Sequence, residues 1–430
     1  FHTVNVFLFF YYADVMKIDA AAVGTLFLVA RLFDTVTDPL MGAIADRTNS
    51  RWGKFRPYLL WLAVPFGICG YLLFAVPDIS PSGQLVYAYA TYIAVMLIYT
   101  AINIPYSALL GVITPNSAER TSVASYRFAC AFGGQLLIVA AARPLIKIFG
   151  VNDEPAGYRM TMGIFAVIAV ILFWLTFSMT RERVQPPAGQ KSDLKKELKL
   201  LLRNVPWVVM FIGGIFTLAN VAVRGAVTLF YFKYYVGDDG ATWLWKFDMT
   251  TVFLMSGTIA LIIGVLSTKL LTPLGDKRQL MIALSAANAI VMALFYFLPQ
   301  DAIGLMLFMN VLGALIAGPT IPLVWSMFGD VADYGEWKFG HRTTALVFSG
   351  IQFAQKFGLA IGGAVAGWML AGFGYVADAE QSPEAIQGIR LMFTILPALF
   401  AVGGVVAIWF YPITGKDVER IERELAEQKT

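Results

Sequence analysis

The feature that most limits the fold of this chain is the spacing of its apolar runs. Between short polar or Gly/Pro breaks they cover about 1 to 13, 20 to 45, 57 to 76, 85 to 113, 123 to 149, 158 to 179, 205 to 236, 246 to 272, 279 to 298, 302 to 328, 344 to 372 and 388 to 412. Most reach the roughly 20 residues that a helix needs to cross a bilayer core. The expected fold class is therefore an all-α membrane protein with about 12 transmembrane helices. Composition agrees: 58% apolar residues, 14% charged residues and a mean hydropathy of +0.68 lie outside soluble globular usage. The first run is short and begins at Phe1 without an initiator Met, so the start of helix 1 is expected to be missing.

Basic residues set the orientation. If the segment after the second run is cytoplasmic, that side holds Arg47, Arg51, Lys54 and Arg56, the cluster from Arg181 to Arg203, and Lys277, Arg278, Arg342 and Lys416. The opposite side keeps only scattered charges such as Lys17, Lys147 and Arg159. Both termini are then cytoplasmic and the chain lies in the inner, plasma membrane. The net charge of +4 fits anionic lipid headgroups, and no nucleic-acid module accompanies it. The chain divides at a charged segment with Pro186, Pro187 and the amphipathic stretch SDLKKELKLLLR. This predicts a six-helix half over 1–180, a cytoplasmic linker over 181–204, a second six-helix half over 205–414 and a cytoplasmic tail over 415–430. A weak internal echo, Gly53-Lys54-Phe55-Arg56 against Gly275-Asp276-Lys277-Arg278, suggests a duplicated unit.

Charge inside the runs is the second constraint. Asp34 and Asp38 lie four residues apart in the second run, on one helical face. An ionised carboxylate at the centre of a membrane helix costs roughly 2.5 to 3.5 kcal/mol, so the pair needs a cation, a proton or a wet cavity. Two carboxylates at this spacing offer hard oxygens to Na+, with a hydroxyl from Thr37; without metal, the same pair can hold a proton. Asp34 paired with Arg31 or Lys356 simply to neutralise charge is the alternative. Once the basic residues at the two membrane sides are assigned, Arg31, Arg127, Arg143, Arg224 and Lys356 are those left within helices.

Four segments carry a family resemblance: RLFDTVTDPLMGAIADRTNSRWGKFRPYLL, NIPYSAL, DVADYGEWKFGHR and FSGIQFAQKFGLAIGG. Over nearly the whole chain the sequence resembles the glycoside, pentoside and hexuronide cation symporter family of the melibiose permease type. That family belongs to the major facilitator superfamily, whose layout is two six-helix halves with a site at mid-membrane. The resemblance implies sugar:cation symport by alternating access, with the coupling cation, Na+ or H+, held by Asp34, Asp38, Thr37 and Thr100. It places Lys356 as a link between cation and sugar and gives Arg127 a sugar contact. Arg31 joins Lys356 as a candidate coupling residue. On the fourth run Asn103 stands where the melibiose permease type has an aspartate, and Ser107 where it has a tryptophan. These two remain candidate substrate contacts, but a galactoside preference does not follow. Thr37 stands where that type has a side-chain amide.

Other features carry less. Asp330, Asp333 and Glu336, read as a loop between the tenth and eleventh helices, are candidates for a cytoplasmic gate with Arg47, Arg51, Arg120 and Arg342. Gly358, Gly362, Gly363 and Gly367 give small-xxx-small spacings suited to close helix packing. Cys69 and Cys130 read as reduced packing residues, and no Cys/His metal spacing exists. No Gly-rich phosphate loop, nucleophile elbow or HExxH occurs, so neither an enzyme nor a cofactor is expected. The expected partners are a small sugar or glycoside and the bilayer, with a monomeric protein. The alternatives are a cation-coupled lysolipid carrier of the same superfamily and a non-transporting sugar sensor.

Overall fold

A computed structural model describes residues 4–113, 117–183, 201–244, 247–271, 275–340 and 344–427. Among them every regular element is helical. Two π-helical stretches, Val4–Leu8 and Tyr11–Val15, open the chain. They are followed by α1 (Ala20–Arg47), α2 (Arg56–Trp61), α3 (Ala63–Leu72), α4 (Pro81–Val112), α5 (Ser117–Phe149) and α6 (Glu154–Met179). Beyond the middle segment come α7 (Val205–Phe230), α8 (Met249–Leu271), α9 (Lys277–Leu294), α10 (Ile303–Ala317) and α11 (Thr320–Phe339). The last are α12 (Thr344–Gly372), α13 (Pro383–Phe393), α14 (Ile395–Trp409) and α15 (Gly415–Glu427).

Local sequence explains where these helices start and break. Asp19, Ser80, Asp153, Asn204 and Ser382 each accept a backbone N–H at a helix start, and all but the first are followed within two residues by a proline. Three breaks have one cause. Proline cannot donate to the carbonyl four residues back and clashes with it. Pro65, Pro322 and Pro397 thus remove the bonds to Trp61, Gly318 and Phe393, the last residue of α2, the residue after α10 and the last residue of α13.

Among the described residues, eight helical spans are long and apolar enough to cross a membrane. The other four of the twelve expected runs are helical as well. The first and third yield only shorter apolar helices, Val6–Val15 and Ala63–Leu72. The second run is α1, which carries Arg31, Asp34 and Asp38; the eleventh is α12, where Lys356, glutamines and many glycines lower the hydropathy.

The chain forms two compact units, Phe1–Gln190 with Tyr375–Glu380, and Lys191–Gly374 with Gln381–Thr430. In the first, α1 packs on α4 and α3 on α6. The segment 375–380 belongs to this unit: Tyr375 donates its hydroxyl to the buried Asp14 carboxylate, and Lys17 pairs with Asp378 at 3.3 Å. In the second unit α12 packs on α7 more extensively than any other pair. A Cβ on Gly358 would strike the Ile215 carbonyl and one on Gly362 the Ala219 carbonyl, so the small-residue spacing does bring two backbones together.

Each unit also fastens a loop to its last long helix. In the first, the Glu182 carboxylate accepts N–H bonds from Lys54, Phe55 and Arg56 at 2.8 to 3.0 Å, and Arg56 donates to the Phe177 carbonyl. In the second, Asp276 accepts from the N–H groups of Arg278 and Gly415, and Arg278 donates to the Trp409 carbonyl.

One expectation is corrected. Asp330, Asp333 and Glu336 are not in a loop but inside α11, which runs on to Phe339 and stops at Gly340 with φ +67. The polar residues share this stretch with Phe328, Val331, Ala332 and Gly335, all buried at helical spacing. The helix is held there by one packed face after overall hydropathy has fallen.

Candidate functional site

The polar interior of the first unit is built on two helices. α1 presents Arg31, Asp34 and Asp38 at i, i+3 and i+7, and α4 lies against it with Thr100, Asn103 and Ser107 at the same spacing. Arg31, Asp34 and Thr100 are 3%, 1% and 2% exposed.

Thr100 joins the two carboxylates. Its hydroxyl oxygen lies 2.5 Å from Asp34 Oδ1 and 3.0 Å from Asp38 Oδ1. A hydroxyl has one hydrogen to donate and lone pairs to accept with. It therefore donates to one carboxylate at a time, and its second contact is satisfied when the other carboxyl brings a proton or when a cation lies against the oxygens. The need is electrostatic: two unit charges about 5 Å apart repel by roughly 3 kcal/mol at an effective dielectric constant near 20. Three oxygens from two helices are thus gathered where one positive charge relieves the repulsion. Thr37 does not join them, since its hydroxyl donates to the backbone carbonyl of Asp34 at 3.1 Å. Among the described residues no group of three or more His, Cys, Asp or Glu side chains is arranged to hold a metal ion. A monovalent cation with two carboxylates and a hydroxyl suits the donors present better than a transition metal.

Further along α4 the second cluster forms. Arg127 of α5 donates to the Ser107 hydroxyl at 3.3 Å and stacks its guanidinium over Tyr106, 4.5 Å from the ring centroid. The side chain of Asn103, one turn from both Thr100 and Ser107, makes no hydrogen bond to another described residue, and the residue is half-buried. Its amide is available as both donor and acceptor to a hydroxyl-rich molecule. Tyr99 lies within the electrostatic reach of Arg31, Asp34, Asp38 and Arg127 together. Tyr99 and Tyr106 were not singled out in the sequence, although their spacing from Asn103 and Ser107 puts them on the same stripe. Aromatic residues are so common in the apolar runs that this signal is easily lost. Pro105 sits inside α4 between the two clusters and deprives the Ala101 carbonyl of its helical donor.

Other expected site residues belong to the second unit. Lys356 is half-buried in α12 of the second unit, 12 residues from Thr344 and 16 from Gly372. That is roughly 18 and 24 Å from the helix ends, beyond the reach of a snorkelling lysine. Asp330 is held by Lys277 at 2.8 Å within its own unit, and Asp333 is half-buried in α11. Arg342 lies outside the described residues. Arg224, on α7, stacks over Phe295 and Phe393 at 5.3 and 4.9 Å. Cys69 and Cys130 are free thiols, and Cys130 is exposed rather than packed in the core.

Comparison with known proteins bears on this geometry. Residues 2–415 match the family model described as MFS/sugar transport protein. The putative glycoside/cation symporter YagG of Escherichia coli is 38% identical over 98% of this chain and 90% of its own length. The isoprimeverose transporter of Lactiplantibacillus pentosus is 37% identical over 96% of this chain and 85% of its own. The crystal structure of the nucleoside transporter NupG shares the fold, with a TM-score of 0.60 and 16% identity over 94% of this chain and 93% of its own. With two helical units of this order and a family match over almost its whole length, the chain belongs to the MFS/sugar transport proteins, in the glycoside, pentoside and hexuronide cation symporter family.

Proposed function

We propose that this inner-membrane protein imports a sugar or glycoside together with a monovalent cation, with the cation held by Asp34, Asp38 and Thr100. The observation that carries the reading is the single Thr100 hydroxyl between two carboxylates, which one positive charge completes. Asn103, Ser107 and Arg127 are the sugar contacts in this reading. They stand on or against the same helix as Thr100, so ion and sugar act on one element and each tightens the other. Lys356 and Arg31 balance the carboxylates when the cation has left. Asp330, Asp333 and Arg342 belong to the cytoplasmic gate, both termini are cytoplasmic, and the protein works as a monomer in the bilayer by alternating access.

Na+ is the first candidate ion, since carboxylate and hydroxyl oxygens are its usual ligands. A proton is the second reading, and one observation favours it: Thr37 gives its hydroxyl to its own backbone, leaving Thr100 as the neutral oxygen between the pair. Sugar accumulation in proteoliposomes at fixed pH, with choline in place of Na+, separates the two. Uptake that needs Na+ selects sodium coupling, and uptake indifferent to Na+ but abolished by a protonophore selects the proton. Uptake indifferent to both would overturn symport.

A further inference from the structure

The two helices that build the cation cluster also enclose a tyrosine that the cluster does not use. Tyr92 stands on α4 two turns before Thr100 and is 0% exposed. Its ring packs against Phe27 of α1 with centroids 4.9 Å apart, and Phe27 lies one turn before Arg31 on the same face of that helix. Packing thus places Tyr92 at the level of the buried Arg31, and Arg31 and then Asp34 are the charged groups that act most strongly on it.

The Tyr92 hydroxyl is an orphan: its oxygen is buried and has no hydrogen-bond partner among the described residues. Such an atom costs stability, so one kept in a native fold calls for a use. Other tyrosines of the unit are engaged, Tyr11 with the Phe74 carbonyl, Tyr87 with the Leu72 carbonyl and Tyr58 with Thr48. Tyr12 is a second buried hydroxyl without a partner among the described residues, but its polar surroundings are Thr91 and three other tyrosines rather than the cation cluster.

Arg31 and a bound cation compete for the same oxygens. Arg31 lies one turn before Asp34, so its charge offsets that carboxylate, and a cation against Asp34, Asp38 and Thr100 brings a second positive charge to the place. A guanidinium displaced from the carboxylates stays charged and needs another oxygen. A phenolic oxygen has lone pairs to accept with, and those of Tyr92 are not taken by another described residue.

We infer that Tyr92 is a positioning residue of the cation site: its hydroxyl receives the Arg31 guanidinium when Na+ takes the carboxylates, and so sets how tightly Na+ binds. The inference rests on the cation site proposed above, with Na+ as its ion, and adds a residue and the exchange of partners through which it acts.

The experiment follows thermal unfolding of the purified full chain in nanodiscs at fixed pH, as Na+ replaces choline. In Tyr92→Phe, which keeps the ring and its packing, the Na+ concentration for half-maximal stabilisation rises about tenfold, as expected for loss of a hydrogen bond to a charged group. The melting temperature without Na+ does not fall. Tyr12→Phe removes the other orphan hydroxyl and leaves the Na+ concentration within about twofold of wild type, and in an Arg31→Gln background Tyr92→Phe adds less than about twofold. Should Arg31→Gln not fold, the comparison with Tyr12→Phe and the melting temperature without Na+ decide. An unchanged Na+ concentration in Tyr92→Phe overturns the inference. So does an equal rise in Tyr12→Phe, an undiminished rise in the Arg31→Gln background, or a lower melting temperature without Na+, which marks a purely structural role. A wild type that Na+ does not stabilise also overturns it and leaves proton-coupled symport standing, whereas stabilisation by Na+ that survives Asp38→Asn unchanged removes the cation site itself.

Discussion

The two units fasten equivalent loops with the same arginine and opposite carboxylates. Arg56 and Arg278 each donate to a carbonyl near the end of the unit's last long helix, Phe177 in one and Trp409 in the other. The acid changes sides. Glu182 follows α6 and gathers three N–H groups of the loop, whereas Asp276 belongs to the loop and reaches the N–H of Gly415 beyond α14. A repeated fold thus keeps the bond that fixes a helix end and leaves free which partner supplies the negative charge. The interiors differ more. The first unit gathers Asp34, Asp38 and Thr100 into one hydrogen-bonded cluster, while the second holds Arg224 between aromatic rings. The loop fastening recurs in both units, and their polar interiors differ.

The sharpest way to break this division is at the carboxylates. Asp38→Asn removes one charge from the cluster without opening a cavity, and cation-driven sugar accumulation is expected to fall by roughly 100-fold or more while folded protein remains in the membrane. Wild-type accumulation in this variant would move the ion site out of the first unit. The next comparison concerns the loop fastenings. Glu182→Ala leaves three N–H groups without their acceptor and should cost about 2 to 3 kcal/mol; Asp276→Ala loses two longer bonds and should cost about 1 kcal/mol. Thermal unfolding of the purified variants measures both, and equal losses would erase the distinction between the two fastenings.

A smaller effect separates the matching glycines. Gly53 has φ +106 and lies beneath the Glu182 carboxylate, so Gly53→Ala should destabilise by about 1 to 2 kcal/mol. Gly275 has no such backbone strain, and its nearest neighbours lie 3.9 Å from an added Cβ. Gly275→Ala should then stay within about 0.5 kcal/mol in the same melting assay. The smallest effect belongs to Thr37. Because its hydroxyl bonds its own helix, Thr37→Ala should leave the cation concentration for half-maximal uptake within about twofold. A tenfold rise would show that this hydroxyl turns toward the ion during transport.

What could be read from residue order follows the range of the interaction involved. The apolar runs depend on neighbours a few positions away, so the pattern of residues shows them. The echo between Gly53-Lys54-Phe55-Arg56 and Gly275-Asp276-Lys277-Arg278 marked equivalent arginines, but not that their acids lie on opposite partners. Asp34 and Asp38 stood out because a membrane segment penalises charge. The direction of the Thr37 hydroxyl depends on a rotamer, and the rings over Arg224 come from residues roughly 70 and 170 positions away, so neither is visible in local pattern. The charged end of α11 was misplaced for a related reason: falling hydropathy marks the end of an apolar run, not the end of a helix.

Pro105 gives α4 a mechanical property. The Ala101 carbonyl lacks its usual donor four residues on, which weakens this point of a rod about 48 Å long, with Thr100 and Asn103 on one side of the proline ring and Ser107 on the other. A rod that yields near its middle acts as a lever: a small change of angle at the joint sweeps its far end through several ångströms. Pulling Thr100 toward or away from the aspartates therefore changes the direction in which Ser107 presents its hydroxyl. The gearing between ion and solute can thus reside in the stiffness of one helix, so that Pro105→Ala, which restores the missing bond, would stiffen the lever without touching either ligand.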